Sequence, residues 1–231
     1  ASAKVTMGDL FKRYIIEKKH KRKRQWRNEE YRKDQIITDP ISDKTLLSLS
    51  TKDLADYRDR RLAVVKSATF NKDFNFISVV VSTALQDWGY KLPNNPCSFF
   101  KREQEAKPRD RILEDWEERK LLHGCSLIPN TYLTKCVEFS LETAIRQGEM
   151  LNIHYDDIDF ENSLLHIPIS KNGYPRKIPL SPKAVRILRE LPRRLDRKVF
   201  PITRDALKNL FQRALKKSNI QEFRYHDLRH T

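Results

Sequence analysis

Four side chains in the second half of this sequence are of types that can hold an anion and move a proton: Arg146, Lys171, His226 and Arg229. Tyr132, Leu133, Cys136, Val137, Ser140, Leu141 and Ala144 recur at helical spacing and deliver Arg146 to a turn before Gly148. Glu149 follows three residues on, close enough to brace the guanidinium. An arginine at the end of a buried helix is costly unless something anionic uses it. In a chain this basic, phosphate is the first candidate. Lys171 falls at the tip of a hairpin marked by Asn172-Gly173. If His226 to Thr231 begins a helix, His226 and Arg229 lie one turn apart on one face and Leu228 points into the core. An imidazole and a guanidinium presented together at a helix start suit a phosphate. Each residue alone also has an ordinary reading: a surface arginine in a loop, a solvated lysine, a core or capping histidine, a surface ion pair.

The chain has 231 residues, enough for one or two domains at ~100–200 residues each. Its net charge of +15 favours a polyanionic partner, nucleic acid or an anionic membrane. The membrane is disfavoured, because no apolar run reaches bilayer-spanning length and no lipidation signal is visible. No apolar stretch follows Ala1-Ser2-Ala3-Lys4, so a secretory signal is not expected. Cys97, Cys125 and Cys136 are far apart, with no CxxC, which points to a reducing compartment without disulfides or a zinc site.

The elements that must position the candidate groups follow from periodicity. Thr6-Met7-Gly8-Asp9 reads as a capping box with Asp in place of Glu, and Leu10, Phe11, Tyr14 and Ile15 stripe a first helix to about Lys18. In the basic run that follows, Lys21, Arg22, Lys23 and Arg24 are candidate DNA contacts. Trp26 and Tyr31 are then expected as core anchors of a second helix. Ser50-Thr51-Lys52-Asp53 caps a third, with Leu54, Tyr57, Leu62 and Val65 inward and Arg58, Arg60 and Arg61 outward or along its edge. Thr69 is expected to open the longest helix, striped by Phe70, Phe74, Ile77, Val81, Leu85 and Trp88. Lys66 and Lys72, near its start, are further candidate DNA contacts. Residues 101–111 are almost wholly polar and read as a basic linker, from which Lys101, Arg102, Lys107 and Arg109 could track phosphates. Beyond it, Leu113 to Leu122 is expected as a helix with Leu113, Trp116, Leu121 and Leu122 inward. After the Arg146 helix the period changes to two, predicting a small three-stranded antiparallel sheet from Asp157-Phe160, Leu164-Ile169 and Arg176-Leu180. Asp156, Asp157 and Asp159 are expected to divide between two strand faces rather than form a carboxylate cluster. Two more helices start at Ser181-Pro182 and near Thr203. The expected fold class is mainly α with that small sheet, divided into residues 1–100, the linker 101–111 and residues 112–231.

Taken in order, Arg146 with Gly148 and Glu149, Lys171 in a Lys-Asn-Gly hairpin, and the His226-x-x-Arg229-His230 ending resemble the tyrosine recombinase family, the phage-type integrases. The resemblance covers nearly the whole chain, including the Asn95-Pro96 exit from the first half, Asp156-Asp157-Ile158-Asp159 and Arg176-x-x-Pro179-Leu180. It implies a two-domain DNA clamp, with residues 1–100 as a core-binding domain and 112–231 as a catalytic domain. The implied activity is that of a site-specific DNA recombinase or integrase of a phage or mobile genetic element. A tyrosine hydroxyl attacks a phosphodiester, forms a 3′-phosphotyrosyl link and frees a 5′-hydroxyl. Arg146 and Arg229 would clamp the non-bridging oxygens, Lys171 would protonate the leaving oxygen, and His226 would assist proton transfer or bond the phosphate. Glu149 would orient Arg146, and His230 would help hold the site. No metal or cofactor is implied, since fixed cations take that role. Double-stranded DNA bearing a recombination site is the implied partner, bound by a tetramer on paired duplexes and aided by accessory DNA-bending proteins. The implied location is cytoplasmic, on the bacterial nucleoid or host-cell DNA.

The chain departs from the family pattern twice. Ala144 stands where members commonly have glycine. The family's nucleophilic tyrosine, and a further His or Trp, lie downstream of His-x-x-Arg, whereas this chain stops at Thr231. The expectation is a catalytic domain cut short before its nucleophile, which binds DNA without cleaving it. Tyr225, which precedes His226, is expected to pack. Two other readings stay open: a non-catalytic DNA-binding accessory factor on the same scaffold, and a type IB topoisomerase-like enzyme.

Overall fold

The computed structural model describes residues 4–19, 26–107, 109–168 and 174–231. The chain divides into two units, residues 1–108 and 109–231, each with its own apolar core.

In the first unit, α1 (Met7–Lys19), α2 (Trp26–Ile36), α3 (Thr51–Leu62) and α4 (Ser67–Gln86) pack around Phe11, Tyr14, Phe70, Phe74 and Phe76. Two reciprocal caps fix helix starts. Thr6 and Asp9 exchange bonds of 3.1 and 3.2 Å, and Ser50 and Asp53 exchange bonds of 2.9 and 3.2 Å. α4 begins two residues before the expected Thr69, with Lys66 as its N-cap. The expected anchors of α2 are a correction. Tyr31 is 62% exposed, Trp26 is only half-buried, and Ile36 alone is buried in that helix. Trp26 instead has the Lys19 ammonium 4.6 Å from its ring and the Arg27 guanidinium 5.6 Å away, so cations cover the indole where the core does not. The first stretch of the linker is tied to this unit. Asn71 donates to the Glu103 carbonyl at 2.9 Å and accepts from its N–H at 3.0 Å.

The second unit contains α5 (Asp115–Ser126), α6 (Leu133–Thr143), α7 (Gln147–Met150), α8 (Pro182–Glu190) and α9 (Arg204–Ser218). Its sheet consists of β1 (Ile158–Asp159), β2 (Leu164–Ile167) and β3 (Arg176–Pro179), in that order and antiparallel throughout. Leu165 pairs with Ile158 on one side and Ile178 on the other, while Ile167 pairs with Arg176. Leu165 and Ile167 face the core while Leu164 and His166 are only half-buried, as a two-residue period requires. Trp116 corrects the expectation for α5: it is 53% exposed, with the Lys120 ammonium 4.7 Å from its ring. The buried stripe of α5 is Glu117, Leu121, Gly124 and Cys125, which packs on α9, and Trp116 lies off that stripe. Asp156 and Asp157 also depart from expectation, since they sit in a 3-10 turn before β1 rather than alternating within it. Asp157 accepts the His154 N–H at 2.9 Å, Asp156 pairs with Arg197, and Asp159 accepts from Asn162. The chain closes on a 3-10 turn, Tyr225–Arg229, where a helix start was expected. No helix among the described residues is long and apolar enough to cross a membrane.

Candidate active site

Arg146 is positioned by how α6 stops. Its apolar face, Leu133, Cys136, Val137 and Phe139, is buried, and Ala144 then turns left-handed at φ 49°. Ile145 drops into the core, and Arg146 follows in extended backbone as the N-cap residue of α7. Glu149, at the third position of α7, reaches back. Its Oε1 accepts Arg146 Nη1 at 3.0 Å, and its Oε2 lies 3.4 Å from the Arg146 backbone N–H. The same Oε2 accepts Arg176 Nη2, from the start of β3, at 2.7 Å. One carboxylate, its side chain only 9% exposed, therefore holds two guanidiniums from two elements. Arg176 entered the sequence reading only as part of a motif. Nothing in its spacing pointed to Glu149, because the contact joins residues 27 apart in sequence.

His226 and Arg229 reach the same part of the unit through Tyr225. The Tyr225 hydroxyl donates to the Cys136 carbonyl at 2.9 Å and lies 2.9 Å from Ser140 Oγ, both on α6. Burial pushes the phenol well above its ordinary pKa, so it stays a protonated donor. Its ring meets Phe211 edge-on at 5.0 Å. The turn that carries His226 and Arg229 is thereby pinned to α6, the helix that stops shortly before Arg146. Asp227 caps the turn by accepting the Arg224 N–H at 2.9 Å, and Leu228 is buried. His226 and His230 are exposed and stand edge to face with centroids 5.5 Å apart. Arg229 is half-buried, with its guanidinium in no ion pair among the described residues.

Lys171 and Lys21, Arg22, Lys23 and Arg24 lie outside the described residues, as does Asn172-Gly173. Lys66, Lys72 and Lys107 are exposed. Arg109 is committed to its own unit: it donates to the Glu222 carbonyl and lies 3.5 Å from the Asp227 carboxylate. Beside α7 opens a cleft of about 560 Å³ lined by Gly148, Asn152, Arg194, Lys198 and Arg204, with Asp196 as its one acid. These bases were not singled out in the sequence, where they lie scattered among other charges. Arg204 also bonds Gln147 at 3.3 Å, which joins the start of α9 to α7.

Residues 111–231 match the family model described as the phage integrase family, so the chain belongs to that family, the tyrosine recombinases. It is 32% identical over 208 residues to the shufflon-specific DNA recombinase of Escherichia coli, covering 87% of this chain and 54% of that protein. It is 26% identical over 194 residues to the integrase of Salmonella phage P22, covering 76% of this chain and 48% of that protein. The chain thus spans about half the length of these two relatives. Among solved structures, the Tn1549 transposon integrase in complex with circular intermediate DNA matches with TM-score 0.80 at 18% identity, covering 98% of this chain and 85% of that one. A lambda integrase dimer bound to a COC′ core site matches with TM-score 0.78 at 19% identity, covering 97% and 87%. At such identities the likeness speaks for the fold, mainly α with a small antiparallel sheet, as expected from the sequence.

Proposed function

We propose that this chain is the DNA-engaging part of a site-specific recombinase that breaks and rejoins double-stranded DNA through a 3′-phosphotyrosyl intermediate. In this reading the first unit is a core-binding domain and the second belongs to the catalytic domain. Arg146 and Arg229 clamp the non-bridging oxygens of the scissile phosphate. Positioned cations stabilise the charge that gathers there as the tyrosine oxygen bonds to phosphorus and the bond to the 5′-oxygen breaks. Lys171 gives its proton to that leaving oxygen, and His226 takes the tyrosine proton or donates to the phosphate. Glu149 orients Arg146, and His230, edge-on to His226, steadies the imidazole. Arg194, Lys198 and Arg204 contact backbone phosphates beside the site. Family membership and the complexes of its structural neighbours with DNA support a duplex partner, and the tetramer of lambda integrase bound to a Holliday junction supports a tetramer on paired duplexes.

The observation that carries the reading is the braced Arg146 at the end of α6, with the His226–Arg229 turn pinned to the same helix. The test is cleavage of a nicked suicide substrate by the complete recombinase. Arg146→Ala and Arg229→Ala are each expected to lower covalent-adduct formation by about 10²-fold or more while most duplex affinity remains. Near-normal cleavage by either variant removes that arginine from the clamp.

A further inference from the structure

The geometry points to Arg176 as a positioning residue for Arg146, one that leaves the Arg146 guanidinium free to take an anion. The inference rests on the clamp proposed above and adds a residue to it.

Left to themselves, a carboxylate and a guanidinium settle into a fork-to-fork pair with two parallel N–H···O bonds. Here that pair does not form. Arg176 Nη2 occupies Glu149 Oε2 at 2.7 Å, the shorter of the two side-chain bonds, so Arg146 keeps a single side-chain bond, Nη1 to Oε1 at 3.0 Å. The rest of the Arg146 fork makes no bond to Glu149. Charge points the same way. Two guanidiniums against one carboxylate leave the cluster net positive, whereas Arg146 and Glu149 alone would be neutral. The Glu149 side chain is 9% exposed, so the difference is felt in a setting that water screens poorly.

The arrangement is not one that packing alone would select. Among the described residues Arg176 Nε is buried without a hydrogen-bond partner, and an N–H in that state costs stability rather than adding it. Arg176 is also the first residue of β3, paired with Ile167 of β2. Its bond to Glu149 therefore registers the sheet against α7, and the segment that bears Lys171 joins these same two strands. Through Glu149, one arginine sets how much of Arg146 is free and ties the start of β3 to α7.

The test uses the whole chain and inorganic phosphate as the probe, with ionic strength held constant by chloride. The arginine Nε–H correlations are followed by NMR, and the Arg146 signal is identified by its loss in Arg146→Lys. In the unaltered chain the Arg146 signal is expected to shift and saturate with phosphate. In Arg176→Gln the apparent affinity at Arg146 is expected to fall about fivefold, and rotation of the Arg146 guanidinium is expected to slow as it locks bidentately onto Glu149. Arg176→Lys, which keeps the charge and can occupy Oε2, is expected to restore most of the affinity. A support confined to packing would change melting temperature without changing guanidinium rotation. Equal phosphate affinity in the unaltered chain and Arg176→Gln overturns the role of Arg176 and leaves the clamp standing. A folded, unaltered chain whose Arg146 ignores phosphate overturns the clamp itself. Should Arg176→Gln fail to fold, Arg176→Lys alone decides: affinity near that of the unaltered chain supports the role, and a loss as large as that expected for Gln overturns it.

Discussion

Ala144 holds a left-handed backbone at φ 49°, a region that costs a residue with a Cβ about 1 kcal/mol or more. It does so because α6 must stop abruptly for Arg146 to emerge at the start of α7. Ala144 stands where family members commonly have glycine, and the structure gives that departure a physical meaning: strain stored two residues before the candidate clamp. Ala144→Gly should relieve that strain and stabilise the second unit by about 0.5–1 kcal/mol, after the glycine's extra unfolded-state entropy is set against it. Denaturant unfolding of the two variants checks this, and a destabilised glycine variant would show that the αL turn is not strained. Burial likewise settles the thiols. Cys97 and Cys125 are pushed up to about 12 and Cys136 higher still, so all three pack as small apolar groups.

Among the elements, α5 packs closely on α9 at Gly124. A Cβ there would stand 2.0 Å from Ser218 Oγ and 2.9 Å from the Ala214 carbonyl. The hydroxyl could swing aside only by giving up its bonds to the Lys120 and Ala214 carbonyls, each 2.9 Å, and the Ala214 carbonyl is backbone that cannot. Gly124→Ala should therefore cost about 1–3 kcal/mol, read as a lower melting temperature of the second unit, and an unchanged melt would mean that the helices separate freely. At the other end of α5, Arg111 donates to Glu117 Oε2 at 2.8 Å, and this bond holds the carboxyl below the ordinary glutamate range. A carboxyl whose pKa is lower folded than unfolded contributes stability that is complete above the unfolded value, about 4.5, and is lost as pH falls through the folded one. Urea midpoints measured from neutral to acid pH should fall below that value, and Glu117→Gln should flatten the fall. The same slope in both would assign it to other carboxylates.

For the whole molecule, the controlling quantity is the net charge of +15. A protein that neutralises several backbone phosphates releases as many counterions. Duplex affinity should therefore drop steeply with salt, by about 10³-fold or more between roughly 50 and 200 mM for six or more contacts. A fluorescence titration across salt concentrations checks it, and a shallow dependence would indicate that few of the bases touch phosphate. Under the proposed reading this chain should bind such a duplex yet leave no covalent adduct on a nicked suicide substrate. A trapped adduct would mean that one of its own tyrosines is the nucleophile. Tyr225 is a poor choice, since its hydroxyl is buried and already bonded to α6.

The sequence by itself determined what depends on neighbours along the chain. The helical stripes of α4 and α6, the caps at Thr6, Ser50, Ser181 and Thr203, and the change of period that produces the sheet all come from contacts within a few residues, which spacing encodes. The proximity of Arg146 to Glu149 was legible for the same reason, being a contact across three residues. Spacing could not say which aromatic rings would be buried. Trp26, Tyr31 and Trp116 have the right chemistry for a core, but each helix buries only the face its partner covers, and cations shield Trp26 and Trp116 instead. Nor could it foresee Arg176 on Glu149, or Tyr225 on Cys136 and Ser140, contacts spanning 27 to 89 residues. Those pairings exist only once the sheet and the final turn have docked on α6 and α7. The residue types for the proposed phosphate site were therefore written locally, and the docking of Arg176 on Glu149 and of Tyr225 on α6 was decided by the packing of elements far apart in the chain.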